Sequence, residues 1–295
     1  MVHDSSWMSR LFSVANYSFL IGLSLLCILP MIHVFAISLS ANIEVEAGAV
    51  TLWPVGFNLE AYQFVLNKPE FLRSLGITVQ RALIGITLNM IVTILLAYPL
   101  SKEVKAFPLR TFFAWLVVFT MLFNGGLIPT YMVVKETRLL DTIWALVLPG
   151  AVHVFHVVLL LNFFRGIPRE LEEAAHMDGA GHWVSLWQIY LPLSAPALAT
   201  VGLFQAVGHW NAWFDGMLYM NKPEHYPLQT YLRTIVIELD LTALGAEDAI
   251  RQFENVSERT TRAAQVFLGS LPILLVYPFL QKYFMKGIVL GSVKG

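Results

Sequence analysis

The chain has 295 residues, 57% of them hydrophobic and 13% charged, with a formal net charge of −1 and a mean hydropathy of +0.64. Soluble domains carry about 25% charged residues, so this composition excludes an ordinary soluble domain, and near-neutrality argues against a nucleic-acid partner. Cys27 is the lone cysteine and can form neither an intrachain disulfide nor a cysteine metal cluster.

Charges are segregated along the chain. Stretches free of Asp, Glu, Lys and Arg run over 11–43, 82–101, 111–134, 142–162, 179–214 and 263–281. A spanning helix needs about 20 mostly apolar residues. Six spans are therefore predicted, over 14–39, 80–101, 111–133, 143–164, 195–216 and 263–283, forming one all-α membrane domain over 1–295. Strand-like alternation is absent, and segments this apolar satisfy their backbone hydrogen bonds internally as helices. The first apolar run exceeds the 7–15 residues typical of a cleavable signal core and lacks a small-x-small site after it, so it reads as the first span.

Taken in chain order, the segments differ in character. Residues 41–79 read as a long outer loop with Trp53-Pro54 and a short helix near 58–66. Asn89 is a polar group within the second span and is expected to face protein or a wet cavity, while Arg81 lies near a membrane edge. Gly125-Gly126 and Pro129 either bend the third span beside a pathway or mark helix packing or a loop end. His153 and His156, three apart in the fourth span, have no Asp, Glu or Cys beside them, so packing or hydrogen bonding is favoured over a metal.

Between the fourth and fifth spans lies the most informative stretch, 166–192. Pro168 is placed to start a short helix whose first turns hold Glu170, Glu172 and Glu173, where carboxylates favour the positive end of the dipole. Leu171, Ala174, Ala175 and Ala180 offer a small, weakly apolar face that another backbone can approach closely. Gly179 suits a left-handed C-terminal stop. Pro192 and Pro196 punctuate the start of the fifth span. At the far end of that span, Trp210, Asn211, Trp213 and Asp215 combine ring faces with amide and carboxylate groups. They read either as a sugar pathway or as an aromatic belt at the membrane interface. The loop 221–262 mixes acidic and basic residues, as a solvated loop or a docking surface.

Two absences narrow the function. The predicted membrane cores hold no Asp or Glu, which disfavours proton- or ion-coupled transport. No G-x-x-x-x-G-K-[ST] loop is present, so the chain is expected to bind no ATP itself.

The order Glu173-Ala174-Ala175, then His176-Met177-Asp178, then Gly179, with Ile189 and Leu191-Pro192 downstream, resembles the signature loop of permease subunits of bacterial ATP-binding-cassette importers. Three further pieces resemble the complex-sugar branch that includes the maltose importer's smaller membrane subunit and the alginate importer's permeases. They are Asn124-Gly125-Gly126-Leu127-Ile128-Pro129-Thr130-Tyr131, Gly208-His209-Trp210-Asn211-Ala212-Trp213-Phe214-Asp215, and the segment from Lys286 to Gly295. Together these cover roughly 70–295; residues 1–60 carry the resemblance least.

The resemblance implies a six-helix type I permease, multi-pass in the bacterial inner membrane. It implies a coupling helix that docks on an ATPase through Glu173, Ala174, Ala175, Met177, Asp178, Gly179 and Ala180. It also implies a homologous second permease, two cytoplasmic ATPases that hold ATP and magnesium, and an extracytoplasmic solute-binding protein. The chain itself would bind no cofactor or metal and do no covalent chemistry. The expected solute is an oligosaccharide, of the alginate type among others, passing Asn124, Trp210, Asn211, Trp213 and Asp215. A permease for a peptide or a lipid-linked compound is the alternative, and a membrane-embedded enzyme or a pathway-free structural subunit lies further off. Basic residues divide evenly between the two faces, so the cytoplasmic placement of 166–192 and of both termini rests on the resemblance. The tail 287–295 reads as a frayed end or, by resemblance, as a contact with the ATPases.

Overall fold

A computed structural model describes residues 7–234 and 259–275. All regular elements among these residues are helical. The expected tail 287–295, residues 235–258 of the expected 221–262 loop, and the end of the sixth span beyond 275 lie outside the described residues.

The chain divides into two compact units. In the first, 1–69 with 235–270, α1 (Trp7–Ser38) is a 32-residue helix, about 48 Å long at 1.5 Å per residue. That length exceeds the roughly 30 Å of a bilayer's apolar core. Its large apolar side chains are exposed along most of the helix, as a lipid-facing span requires. Among the described residues, its C-terminal end is the part tied down by protein. There Ser40 donates to the Ala36 carbonyl at 2.6 Å and accepts from the Val55 amide at 3.0 Å. Phe35 lies 4.5 Å from Phe267, centroid to centroid. The short helices α2 (Asn42–Glu46) and α3 (Glu60–Leu66) follow. The Asn58 side chain accepts the Glu60 amide at 2.6 Å, placing α3 where the sequence predicts it.

The second unit, 70–234 with 271–295, is organised around α4 (Pro69–Ser101). The buried residues of α4 fall on one stripe: Phe71, Ser74, Thr78, Arg81, Gly85, Asn89, Thr93 and Ala97. Spacings of three and four place them on one face. Beyond Phe71 the stripe is small or polar, while Leu83, Ile91 and Leu95 on other faces are exposed. This inverts the pattern of a soluble helix, because lipid is as apolar as leucine and the polar groups must turn to protein.

The remaining helices are α5 (Arg110–Leu122), α6 (Leu127–Glu136), α7 (Ile143–Val147), α8 (Val154–Arg165), α9 (Arg169–Met177), α10 (His182–Ser185), α11 (Leu191–Leu193), α12 (Ala195–Asn211) and α13 (Phe214–Tyr219). A π-helical turn, Leu186–Tyr190, joins α10 to α11. Among the described residues, only α1 and α4 are continuous helices long and apolar enough to cross a membrane. The expected third, fourth and fifth spans are instead broken. α5 and α6 meet at 111°, because Gly126 adopts φ +93° and its amide bonds back to the Asn124 side chain at 2.9 Å. Residues 143–164 split into α7 and α8 around Pro149-Gly150. Residues His182–Leu193 meet α12 at 80°, just before Pro196, and α12 itself stops at Asn211. Counting each bent pair as one span gives up to four among the described residues.

Arg81 and Asp215 close the second unit by a two-pronged ion pair. Arg81 Nη1 donates to Asp215 Oδ1 at 3.1 Å, and Nη2 donates to Oδ2. The arginine side chain is only 3% exposed. Beside it, a Cβ at Gly85 would overlap the His209 imidazole, so glycine is required for α4 and α12 to approach this closely. Removing one partner of a buried pair leaves an uncompensated charge, at a cost of about 3 kcal/mol. Asp215→Ala is therefore expected to lower the thermal unfolding midpoint of the detergent-solubilised protein clearly. The double variant Arg81→Met/Asp215→Leu should recover most of that loss.

Candidate functional site

The loop 166–192 is built as a short helix on a stand. α9 starts after Pro168 and ends in a Schellman motif. The Gly179 amide bonds the His176 carbonyl at 3.0 Å, and the Ala180 amide bonds the Ala175 carbonyl at 2.8 Å. Gly179 takes φ +82°, the left-handed conformation its position in the sequence suggested. No residue of α9 is buried, and Met177 is 88% exposed. Glu173, Ala174, Asp178 and Gly179 are also exposed, with Ala175 and Ala180 half-buried. The small face thus stands free for a partner.

What holds α9 is a clamp that the sequence did not reveal. Lys102, just beyond α4, donates to Glu172 Oε1 at 2.5 Å. The Tyr190 hydroxyl donates to Glu172 Oε2 at 2.6 Å. The ammonium lies 4.0 Å from the ring centres of both Tyr98 and Tyr190, in cation–π contact. Tyr98, Phe164 and Tyr190 pack edge to face. The Tyr98 hydroxyl also donates to the His182 carbonyl at 3.0 Å, and Arg165 donates to the Leu100 carbonyl at 3.2 Å. Arg169 pairs with Glu103. Burial pushes the Glu172 carboxyl up, but the hydrogen bonds from Lys102 and Tyr190 outweigh it and hold the group below its ordinary range. The loop is therefore welded to the end of α4 by charge and aromatic contact.

Glu172, His176 and His182 bring three donor atoms within 4.8 Å of one another. Glu172 Oε1 already accepts from the ammonium of Lys102 at 2.5 Å. The cluster is better described as a charge network than as a metal holder.

Deeper in the second unit, a cavity of about 510 Å³ opens between α4, α8 and α12. Its walls include Arg81, Asn89, His153, His156, Gln205, Gly208, His209 and Asp215. Asn89 Nδ2 lies 3.0 Å from His209 Nε2. The rings of His153 and His156 stack 5.1 Å apart, and His156 stacks on Phe204 at 6.1 Å.

Of the five expected pathway residues, only Asp215 lines this cavity. Asn124 is an exposed residue whose side chain caps the α5–α6 bend. Trp210 is buried and Asn211 is exposed. Trp213 lies beneath the Arg233 guanidinium at 4.0 Å, and its carbonyl accepts from Thr230 at 2.8 Å. Asn89 faces protein and the cavity, as its polarity requires. His153 and His156 are packed together within the bundle. Gln205 and His209 gave no separate signal, because one polar residue per turn of an apolar helix has many explanations.

Residues 106–289 match the family described as the binding-protein-dependent transport system inner membrane component. Protein LplC of Bacillus subtilis (strain 168) is 44% identical over 287 residues, covering 97% of this chain and 96% of LplC. The polygalacturonan/rhamnogalacturonan transport system permease protein YtcP of the same organism is 42% identical over 292 residues, covering 97% and 99%. A crystal structure of a bacterial ABC transporter involved in the import of the acidic polysaccharide alginate contains a chain of the same fold. The TM-score is 0.87 at 33% identity, covering 96% of this chain and 100% of that one. With a family match over most of its length and relatives this similar end to end, the chain belongs to the inner membrane components of binding-protein-dependent transport systems.

Proposed function

We propose that this chain is a permease subunit of an ATP-driven importer that carries oligosaccharides, with uronate-rich chains the favoured class. The observation that carries the coupling half of the reading is α9, with no buried residue yet fixed to the end of α4 through Lys102 and Glu172. A helix that transmits force must present a face and must not swivel on its mount. The solute class is supported by the relatives, whose names specify polygalacturonan, rhamnogalacturonan and alginate.

In this reading a second permease completes the pathway, and a solute-binding protein delivers the sugar from outside. Two cytoplasmic ATPases dock on the coupling helices of the two permeases. ATP closes the ATPase pair and shifts the spans towards an outward-facing state; hydrolysis returns them. Nucleotide and sugar act only through their unequal affinity for the two states. The chain's residues position and transmit, while the phosphate chemistry takes place on the ATPases. Reconstituted vesicles provide the test. A sugar-loaded binding protein should raise ATPase activity and drive uptake of an oligogalacturonide, and absence of both would remove the proposal.

Two sets of variants probe the coupling loop. Glu172→Gln and Lys102→Met should each lower binding-protein-stimulated ATPase activity at least about tenfold, since loss of a charge-assisted hydrogen bond is worth roughly 1.5–3 kcal/mol. The exchanged pair Lys102→Glu/Glu172→Lys should regain part of it. Gly179→Val places a β-branched residue at a left-handed position that rejects it. It should abolish uptake while the protein still inserts and resists proteolysis.

Placement of the loop is read by labelling. In a Cys27→Ser background, a cysteine at position 182, which is exposed, should react with an impermeant maleimide only after the membrane is opened. Rapid labelling in intact spheroplasts would reverse the orientation.

A further inference from the structure

The cavity beside α4 contains more polar capacity than the chain itself satisfies. Gln205 is 2% exposed, and neither its amide nitrogen nor its amide oxygen finds a partner among the described residues. Asn89, 1% exposed, uses its nitrogen on His209 but leaves Oδ1 unpaired. His156 Nδ1 is likewise unpaired. All three residues line the same cavity. Buried polar atoms are nearly always paired, and each exception needs an explanation. Four such atoms around one space are explained together by something that both donates and accepts.

The charges in that wall point the same way. Among the described residues, Arg81 and Asp215 are its only Asp, Glu, Lys or Arg lining residues, and they are bound to each other in two-pronged fashion. The groups left over are neutral: two amides and an imidazole. A hydroxyl is donor and acceptor at once and matches this set, whereas a carboxylate only accepts and is poorly served by it. The stacked series His153, His156 and Phe204 supplies flat ring surface on the same wall, suited to the C–H face of a pyranose. The volume, about 510 Å³, falls within the roughly 300–1,000 Å³ of small-molecule sites.

We propose that this cavity is a saccharide subsite within the subunit, holding one pyranose unit of the passing chain by its hydroxyl edge through Gln205, Asn89 and His156. The proposal rests on the oligosaccharide reading above and adds that this subunit reads hydroxyls rather than the uronate carboxylate. Discrimination for acidic sugars then lies elsewhere in the assembled importer.

Gly208 gives a direct handle. It lines the cavity, and a Cβ built there meets nothing within 4 Å. Gly208→Leu therefore adds bulk at the cavity wall from a position where a Cβ meets no obstacle, and Gly208→Ala serves as its mild control. Gln205→Met removes both amide atoms at nearly constant shape. The complete importer, in vesicles with its binding protein, is supplied with a labelled oligogalacturonide and with a neutral galacto-oligosaccharide of equal length. Copurification with the ATPases reports assembly. Gly208→Leu should abolish uptake, Gly208→Ala should retain it, and Gln205→Met should lower uptake by up to about tenfold, the scale of lost hydrogen bonds. The reduction should be equal for every probe that the wild type carries. Normal uptake by assembled Gln205→Met and Gly208→Leu would overturn the subsite while leaving the sugar reading intact. A loss confined to the galacturonide would overturn the hydroxyl assignment. Failure of the wild type to carry either probe would overturn the sugar reading and the subsite with it.

Discussion

The second unit is organised by the inward polar stripe of α4. In water, a helix hides its apolar face; in lipid, an apolar face gains nothing by hiding, and polar groups lose heavily by exposure. Ser74, Thr78, Arg81, Asn89 and Thr93 must therefore turn towards protein, and other segments must meet them. Thr78 accepts the Leu228 amide at 2.7 Å, Arg81 takes Asp215, and Asn89 takes His209. Gly85 lets α12 come close enough for this to happen. The same stripe carries one wall of the cavity, so the element that holds the bundle together also lines its polar interior.

At its other end α4 meets a different requirement. The helix α9 is polar, largely exposed and only nine residues long, below the length at which isolated helices are stable in water. Its orientation cannot come from burial of an apolar face. It comes from one carboxylate, Glu172, held by an ammonium and a phenol inside an aromatic frame. Such a partly buried pair is a weak source of stability but a strong source of orientation, because both charges are satisfied in only one geometry. α4 thus has the bundle's polar interior on one stretch and the clamp at its end, about 30 Å apart from Arg81 to Lys102 at 1.5 Å per residue.

The sequence made some of this plain. Charge-free runs marked the apolar segments, and the spacing around Gly179 marked the helix, its left-handed stop and its exposed small face. The sequence at Gly125-Gly126 left open a bend in the span, helix packing or a loop end, since glycine reaches backbone conformations that a helix does not use. Continuity was overestimated: charge-free runs report where lipid or protein surrounds the chain but not whether the backbone bends within them. The period of Thr78, Arg81, Gly85, Asn89, Thr93 and Ala97 was present in the letters, yet only Arg81 and Asn89 stood out, because each of the others alone is ordinary. Lys102 with Glu172, and Arg81 with Asp215, stand 70 and 134 residues apart. Nothing local joins such pairs. Trp213 shows the converse: its type suggested a sugar contact, while Arg233 and Thr230 engage it locally.

The separation of Arg81 from Asp215 also bears on how the protein is made. The arginine is synthesised 134 residues before its carboxylate. At translation speeds of about 5–20 residues per second, that interval is roughly 7–27 s. During it α4 carries a cation that lipid accepts at a cost of about 2.5–3.5 kcal/mol near a helix centre. α4 is therefore expected to stay beside the translocation machinery, or to sit shallowly, until α13 arrives. Insertion of this subunit would then be a two-step event whose second step is neutralisation.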